Sequence, residues 1–332
     1  MKKLMISMLA MAAMVSCTNE IENPDQPQVN QNEPTPIEFG SSILAVQTKA
    51  AKTGTAFSND EHIGIIGFKG ETAPSTDYSS PFMNNIDFTY ATNKFTASDV
   101  SAVWERNATH HFYAYYPLAT TTETNGYKYT AGTASAAPTV SVTVQTGEEG
   151  VKQDLLWSNL TSKKFTGAST EFSADKMKLQ FAHKLARIAF KVVKKDANVP
   201  ESALKGISFK VDYKDASLNL ISGELTKGSQ ITADADKISL SKTLTTTETI
   251  SVDGADNATC GDFSPIIIPG TAISNLELTI NDQKLAVSDL STLKFEGGDI
   301  TTVTITVNSK GVEFSAAITD WTSVNNGTGT VE

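Results

Sequence analysis

Lys178-Leu-Gln-Phe-Ala-His-Lys-Leu-Ala-Arg-Ile-Ala-Phe-Lys-Val-Val193 is the stretch on which the fold turns. Its apolar residues alternate as they do in a β-strand, but the phase changes midway. Leu179, Phe181, His183 and Leu185 fall on odd numbers and would share one face, whereas Ile188, Phe190 and Val192 fall on even ones. A one-residue change of phase is what a bulge or a sharp bend produces. The stretch is basic and rich in β-formers, and it divides the chain into two halves of domain size.

Composition agrees with an all-β reading. The chain has 332 residues, enough for about two domains, and 39% are hydrophobic, enough to give each a core. Only 19% are charged, while Thr, Ser, Val, Ile, Ala and Gly abound. Helix-period runs are scarce beyond the N-terminus. A formal charge of −10 argues against nucleic-acid binding, which runs on clustered Lys and Arg. Cys17 and Cys260 are the only cysteines, so there is neither a disulfide framework nor a Cys-based zinc site.

Before the central stretch, strand-like runs cover His62 to Phe68, Phe82 to Tyr90, Ser101 to Trp104, His111 to Tyr116, Thr139 to Gln145 and Asp154 to Trp157. Turn formers such as Asn59-Asp60, Asn125-Gly126 and Gly147-Glu-Glu-Gly150 separate them. Gly64, Gly67 and Gly70 form a G-x-x-G-x-x-G run, but no helix pattern follows, so it reads as a strand and not as a phosphate loop. The aromatic run Phe112-Tyr-Ala-Tyr-Tyr-Pro117 reads as a core strand in preference to a sugar-stacking platform, and Trp104 and Trp157 read the same way. Adjacent His110 and His111 point to opposite faces of a strand and cannot chelate one ion together.

After the central stretch come runs at Ile207 to Tyr213, Ser217 to Ile221, Phe263 to Gly270, Leu276 to Ile280, Ile300 to Val307 and Val312 to Trp321. His183 reads as a hydrogen-bonded core histidine. Asp234, Asp236, Asp253, Asp256 and Asp262 lack calcium-loop spacing, and no catalytic motif occurs. No cofactor, metal or catalytic residue is expected.

The N-terminus reads as an address. Lys2 and Lys3 precede an apolar run from Leu4 to Val15, shorter than the ~20 residues of a membrane-spanning helix. The run ends Met14-Val-Ser-Cys17, which resembles a bacterial lipobox and marks Cys17 as the lipidation site and residues 1–16 as a lipoprotein signal peptide, the alternative being an ordinary cleaved signal with an incidental cysteine. Thr18 after the cysteine points to outer-membrane sorting. The lipid on Cys17 is the only membrane contact expected. Residues 17–36, with Pro24, Pro27, Pro34 and Pro36, read as a disordered tether. Order is expected from Ile37, in a strand to Gln47 on which Ile37, Phe39, Ile43 and Ala45 share one face. Lys49 and Lys52 follow in a small-residue loop, either as protease sites or as ordinary solubilising residues.

Phe181-Ala-His-Lys-Leu-Ala-Arg-Ile188 resembles the F-x-H-x-L-A-[RK]-[IV] segment of fimbrillin-like proteins, the subunits of type V pili. The order of later motifs resembles them too: an apolar run closed by Pro269-Gly270, then Gly297-Gly-Asp-Ile-Thr-Thr-Val-Thr-Ile-Thr-Val307, then Ala317-Ile-Thr-Asp-Trp321. Glu20 and Glu22 resemble the export signal of surface-exposed lipoproteins in that bacterial group. The resemblance implies two transthyretin-like β-sandwich domains in tandem, at 37–176 and 177–332, and no catalytic activity. It also implies that a trypsin-like protease cuts after Lys49 or Lys52 and discards the first strand with its lipid. The slot left by Ile37, Phe39 and Ile43, each worth ~1.5–3 kcal/mol when buried, would then accept a strand from another pilin subunit.

The chain departs from stalk subunits at its C-terminus, where Thr322 to Glu332 offers only Val324 and Val331 as apolar side chains. That weak donor points to a tip or accessory subunit, with Val312, Phe314, Ala316 and Ile318 as the alternative donor strand. A host glycan or protein is a candidate ligand. The competing reading is a carbohydrate-binding surface lipoprotein that never polymerises.

Overall fold

The computed structural model describes residues 34–43, 56–99, 101–166, 172–174, 176–194, 204–248, 251–252, 263–280, 282–287, 293–308 and 311–320. Among these residues the architecture is all-β, with several sheets and no helix. The first half supplies β1 (Glu38–Ile43), β2 (His62–Lys69), β3 (Met83–Ala91), β4 (Lys94–Ala97), β5 (Thr109–Tyr116), β6 (Tyr127–Thr130), β7 (Thr139–Thr143) and β8 (Leu156–Lys164). The central stretch yields β9 (Lys178–His183) and β10 (Ala186–Lys194). Beyond it lie β11 (Leu204–Val211), β12 (Asp215–Asn219), β13 (Leu225–Lys227), β14 (Ile238–Glu248), β15 (Ser251–Val252) and β16 (Ile266–Ile267). The last are β17 (Ile273–Ile280), β18 (Gln283–Ala286), β19 (Asp299–Asn308) and β20 (Gly311–Asp320).

Seven strands close a barrel in the order β1-β4-β3-β2-β5-β8-β9, and β9 returns to β1. Closure gives every strand of that layer a neighbour on both sides, although the β1–β4 and β8–β9 pairings are short. Three open sheets complete the fold, in the orders β15-β10-β19-β20, with β16 also on β10, then β14-β11-β17-β18 and β13-β12-β7-β6. The last sheet joins the halves, because β7 pairs with β12 from Thr143 opposite Asp215 to Thr139 opposite Asn219.

Two cores result, and the barrel wall belongs to both. On β2, Ile63 and Ile65 face the barrel interior while Ile66 and Phe68 face the larger core shared with the open sheets. On β5, Phe112, Ala114 and Tyr116 face inward and Tyr113 and Tyr115 outward, all buried. The same holds on β8 for Leu156 against Trp157. A strand covered on both faces reads as a continuous apolar run, which is why β2 and β5 are so apolar in sequence.

The phase change in the central stretch is a crossing between these cores. Leu179 and Phe181 pack in the barrel, whereas Ile188, Phe190 and Val192 pack in the larger core. Leu185, grouped by parity with Leu179, lies past the crossing and is buried in the larger core instead. β9, although it follows residue 176, pairs with β1 and β8 of the first half, so the chain changes sheets at Lys184-Leu185.

Some strand expectations are corrected. Ser101 to Trp104 is not a strand: only Val103 makes a bridge, to Pro36, and Trp104 is buried in the barrel core. The tether expected to reach Pro36 is already docked there, since the Trp104 N–H donates to the Thr35 carbonyl at 2.9 Å. Strands β4, β6 and β14 lie where no strand was expected, because their Lys- and Thr-rich sequences take their pairing from neighbours. Asn125 and Gly126 both have positive φ, 54° and 84°, as a tight hairpin-type turn requires.

Candidate functional site

The most distinctive local structure is the seam that β1 makes in the barrel. Two antiparallel pairs, Glu38 with Thr96 and Phe39 with Phe95, tie it to β4. Four parallel pairs, from Gly40 with Lys178 to Ile43 with Phe181, tie it to β9. Ile37, Phe39 and Ile43 are buried, as their shared face implies, and Phe39 is fully so. Its ring lies 5.0 Å from Phe112 and 5.6 Å from Phe88, centroid to centroid, in the tilted and edge-on geometries that aromatic pairs favour.

Backbone contacts extend the seam. The Ile37 N–H donates to the Ala102 carbonyl at 2.9 Å. The Gly40 N–H is shared between the carbonyls of Ala174 and Met177, both at 2.9 Å. Lys94 Nζ donates to Glu38 Oε1 at 2.8 Å, but both groups are about a third exposed, so this pair adds little. Most of the stabilisation comes from the three apolar side chains, about 1.5–3 kcal/mol each.

Of the residues expected to act on this seam, Cys17, Ala45, Lys49 and Lys52 lie outside the described residues. Lys49 and Lys52 belong to the segment that joins β1 to β2. Val312, Phe314, Ala316 and Ile318 fall on β20, the end strand of its sheet, paired with β19 from Asp320 opposite Asp299 to Gly311 opposite Asn308.

His110, His111 and His183 are buried and hydrogen-bonded within the fold. His110 is fully buried against Trp104 and Phe82, and its Nε2 accepts the Glu105 N–H at 3.2 Å. Burial, with Lys69 nearby, holds its pKa below the ordinary histidine value. His111 bonds through its two ring nitrogens to Ser162 Oγ at 2.8 Å and the Gly70 carbonyl at 2.9 Å. His183 is a hydrogen-bonded core histidine, its Nδ1 paired with Asp154 Oδ2. Burial pushes the Asp154 carboxyl up, opposed by the hydrogen bond from His183 and the charges of His183 and Arg187. Asp154 was missed in the sequence, because nothing local marks a partner 29 residues away.

Phe112, Tyr113, Tyr115, Tyr116, Trp104 and Trp157 are all buried, so the aromatic run is core. Asp234 is engaged by Lys210 Nζ at 3.0 Å and Asn275 Nδ2 at 2.8 Å. Asp253, Asp256 and Asp262 lie outside the described residues, among which no His, Cys, Asp and Glu cluster could hold a metal. Ser141, Thr143, Asp215, Ser217, Thr226 and Lys227 line a shallow groove of about 330 Å³ on the sheet containing β7 and β12.

A family model described as fimbrillin-like matches residues 48–321, so β1 lies just outside the matched segment. No curated protein matches the chain. Among solved structures, a candidate cell adhesion protein of Bacteroides ovatus is 17% identical, with 89% of this chain and 100% of that one covered at a TM-score of 0.59. One of Bacteroides uniformis, also described as a candidate for cell adhesion, is 17% identical, covering 86% of this chain and 98% of the other at 0.56. A fimbrial protein of Bacteroides vulgatus is likewise 17% identical, covering 86% and 99% at 0.54. At this identity the likeness is one of fold.

Proposed function

The chain belongs to the fimbrillin-like family, which is not one of enzymes, and on that premise we propose that it is a structural or adhesive subunit of a type V pilus. Its tandem domains, divided near residue 176, are transthyretin-like. It is exported as a lipoprotein acylated at Cys17 and displayed on the outer membrane. A trypsin-like protease then cuts after Lys49 or Lys52 and releases β1 with its lipid. The opened barrel accepts a strand from another pilin subunit, and the product joins the fimbria as a tip or accessory subunit with a host glycan or protein as candidate ligand.

One observation carries this reading. β1 fills the barrel with Ile37, Phe39 and Ile43 but is held by two pairs on one side and four on the other, and it leads directly into the segment bearing both lysines. Its loss would leave apolar pockets between two unpaired strand edges, the arrangement that strand addition repairs. The three buried side chains recovered on refilling provide the driving force.

The intact mass and N-terminal residue of the protein from its native cell surface test this. A start at Ala50 or Thr53 is expected. A start at acylated Cys17 would favour the competing reading, a non-polymerising carbohydrate-binding lipoprotein. The hydroxyl-lined groove at Ser141, Ser217 and Thr226 is the observation on that side.

A further inference from the structure

We propose that the slot of β1 selects its replacement strand by a steric filter, admitting only a segment with glycine at the position now held by Gly40. This inference rests on the strand-replacement reading above. A Cβ built on Gly40 would stand 2.3 Å from the Ala174 carbonyl oxygen and 3.2 Å from its carbon, whereas Cβ atoms essentially never come within 3.0 Å of another heavy atom. The φ of Gly40 lies outside the left-handed region, so it is the approach of another backbone, and not an unusual conformation, that demands glycine here.

The obstructing carbonyl is held in place. Ser173 O accepts from the N–H groups of both Lys176, at 2.9 Å, and Met177, at 3.1 Å, which closes the turn behind Ala174. Phe172, next along that turn, is buried with its ring 4.5 Å from Phe165 and 4.9 Å from Trp104. A β-carbon at position 40 would therefore have to displace the incoming strand. Displacement breaks the Gly40 N–H bonds to Ala174 and Met177 and lifts the neighbouring apolar side chains from their pockets.

Direction is constrained as well. β1 runs antiparallel to β4 and parallel to β9, and the pockets of Ile37, Phe39 and Ile43 are unevenly spaced about Gly40. Reversing the sequence about Gly40 still presents large residues to the two outer pockets but takes the large residue out of the Phe39 pocket and inverts the pairing with β4 and β9. The occupant is thus an extended segment of a second polypeptide, running as β1 runs, with the pattern apolar-x-apolar-Gly-x-x-apolar. Ser41 and Ser42 are only half-buried, and their positions tolerate other residues.

The full chain, given a site for a sequence-specific protease between Gln47 and Thr53 and nicked there, keeps both pieces and allows exchange. The nicked protein is challenged with fluorescent peptides spanning Thr35 to Gln47, read by anisotropy. The wild-type and Ser42→Ala peptides should exchange equally well, Gly40→Ala about tenfold or more less tightly, and Gly40→Val and the reversed sequence not detectably. Binding of the Gly40→Ala and Gly40→Val peptides within about twofold of wild type would overturn the filter while leaving strand replacement intact. Failure of the wild-type peptide itself to exchange would overturn strand replacement, and the filter with it.

Discussion

His110 shows how much the environment of one side chain sets its behaviour. Buried among Trp104, Phe82 and Phe112, it titrates below the ordinary histidine value, so the unfolded chain binds its proton more readily than the folded one. The stability this contributes is complete above about pH 6.5 and is lost as pH falls through the depressed folded value. Asp154 acts with the opposite sign, since its raised value favours the folded state at low pH and that contribution fades as pH rises through it. Replacing His110 with Gln keeps an acceptor for the Glu105 N–H but removes the titration. The variant should lose less stability between pH 7 and pH 5 than the parent, as read by urea midpoints. Parallel pH profiles would mean that His110 is not the group being titrated. Neither effect was legible beforehand: parity shows that His110 and His111 point apart, not that Trp104 and Phe82 enclose His110 while Ser162 and Gly70 bond His111.

Strand β1 behaves as an element whose contribution depends on the form of the protein. In the precursor, Phe39→Ala removes a fully buried ring lying against Phe88 and Phe112 and should cost about 3–5 kcal/mol by denaturant unfolding. In a form that has shed the strand, the same substitution has nothing left to change, so precursor and mature protein should respond differently. Equal losses in both would mean that β1 is retained. The alternation of Ile37, Phe39 and Ile43 announced this strand and its buried face. Its partners were not legible, because a parallel pairing with β9 joins residues far apart in the chain. Strands β2, β3 and β5 were visible for the same reason as β1, their apolar content, whereas β4 and β14 carry mostly Thr, Ser and Lys outside one or two core residues.

At the scale of the molecule, the barrel interior is a core of its own, but the larger core draws on both proposed domains. Ile66, Tyr113 and Trp157 from the barrel wall share one core with Ile188, Phe209 and Leu278, and β7 of the first half pairs with β12 of the second. Trp157 Nε1 also donates to the Leu220 carbonyl at 2.9 Å. Calorimetry should therefore give a single unfolding transition. Leu218→Ala, opposite Val140 in that joint sheet, should lower the whole transition by about 2–5 kcal/mol instead of splitting it. Two separated transitions would show that the halves stand alone.

By itself the sequence determined the all-β character, the buried face of β1, the change of phase at the centre and the likeness to fimbrillins. Alternation of apolar residues and the order of motifs are local properties that survive without coordinates. Only the tertiary structure decided that the change of phase is a passage between two cores, that β9 closes the barrel against β1, and that the Ala174 carbonyl crowds Gly40. Each of these depends on backbone groups brought together from distant parts of the chain, and side-chain pattern carries no record of such approaches.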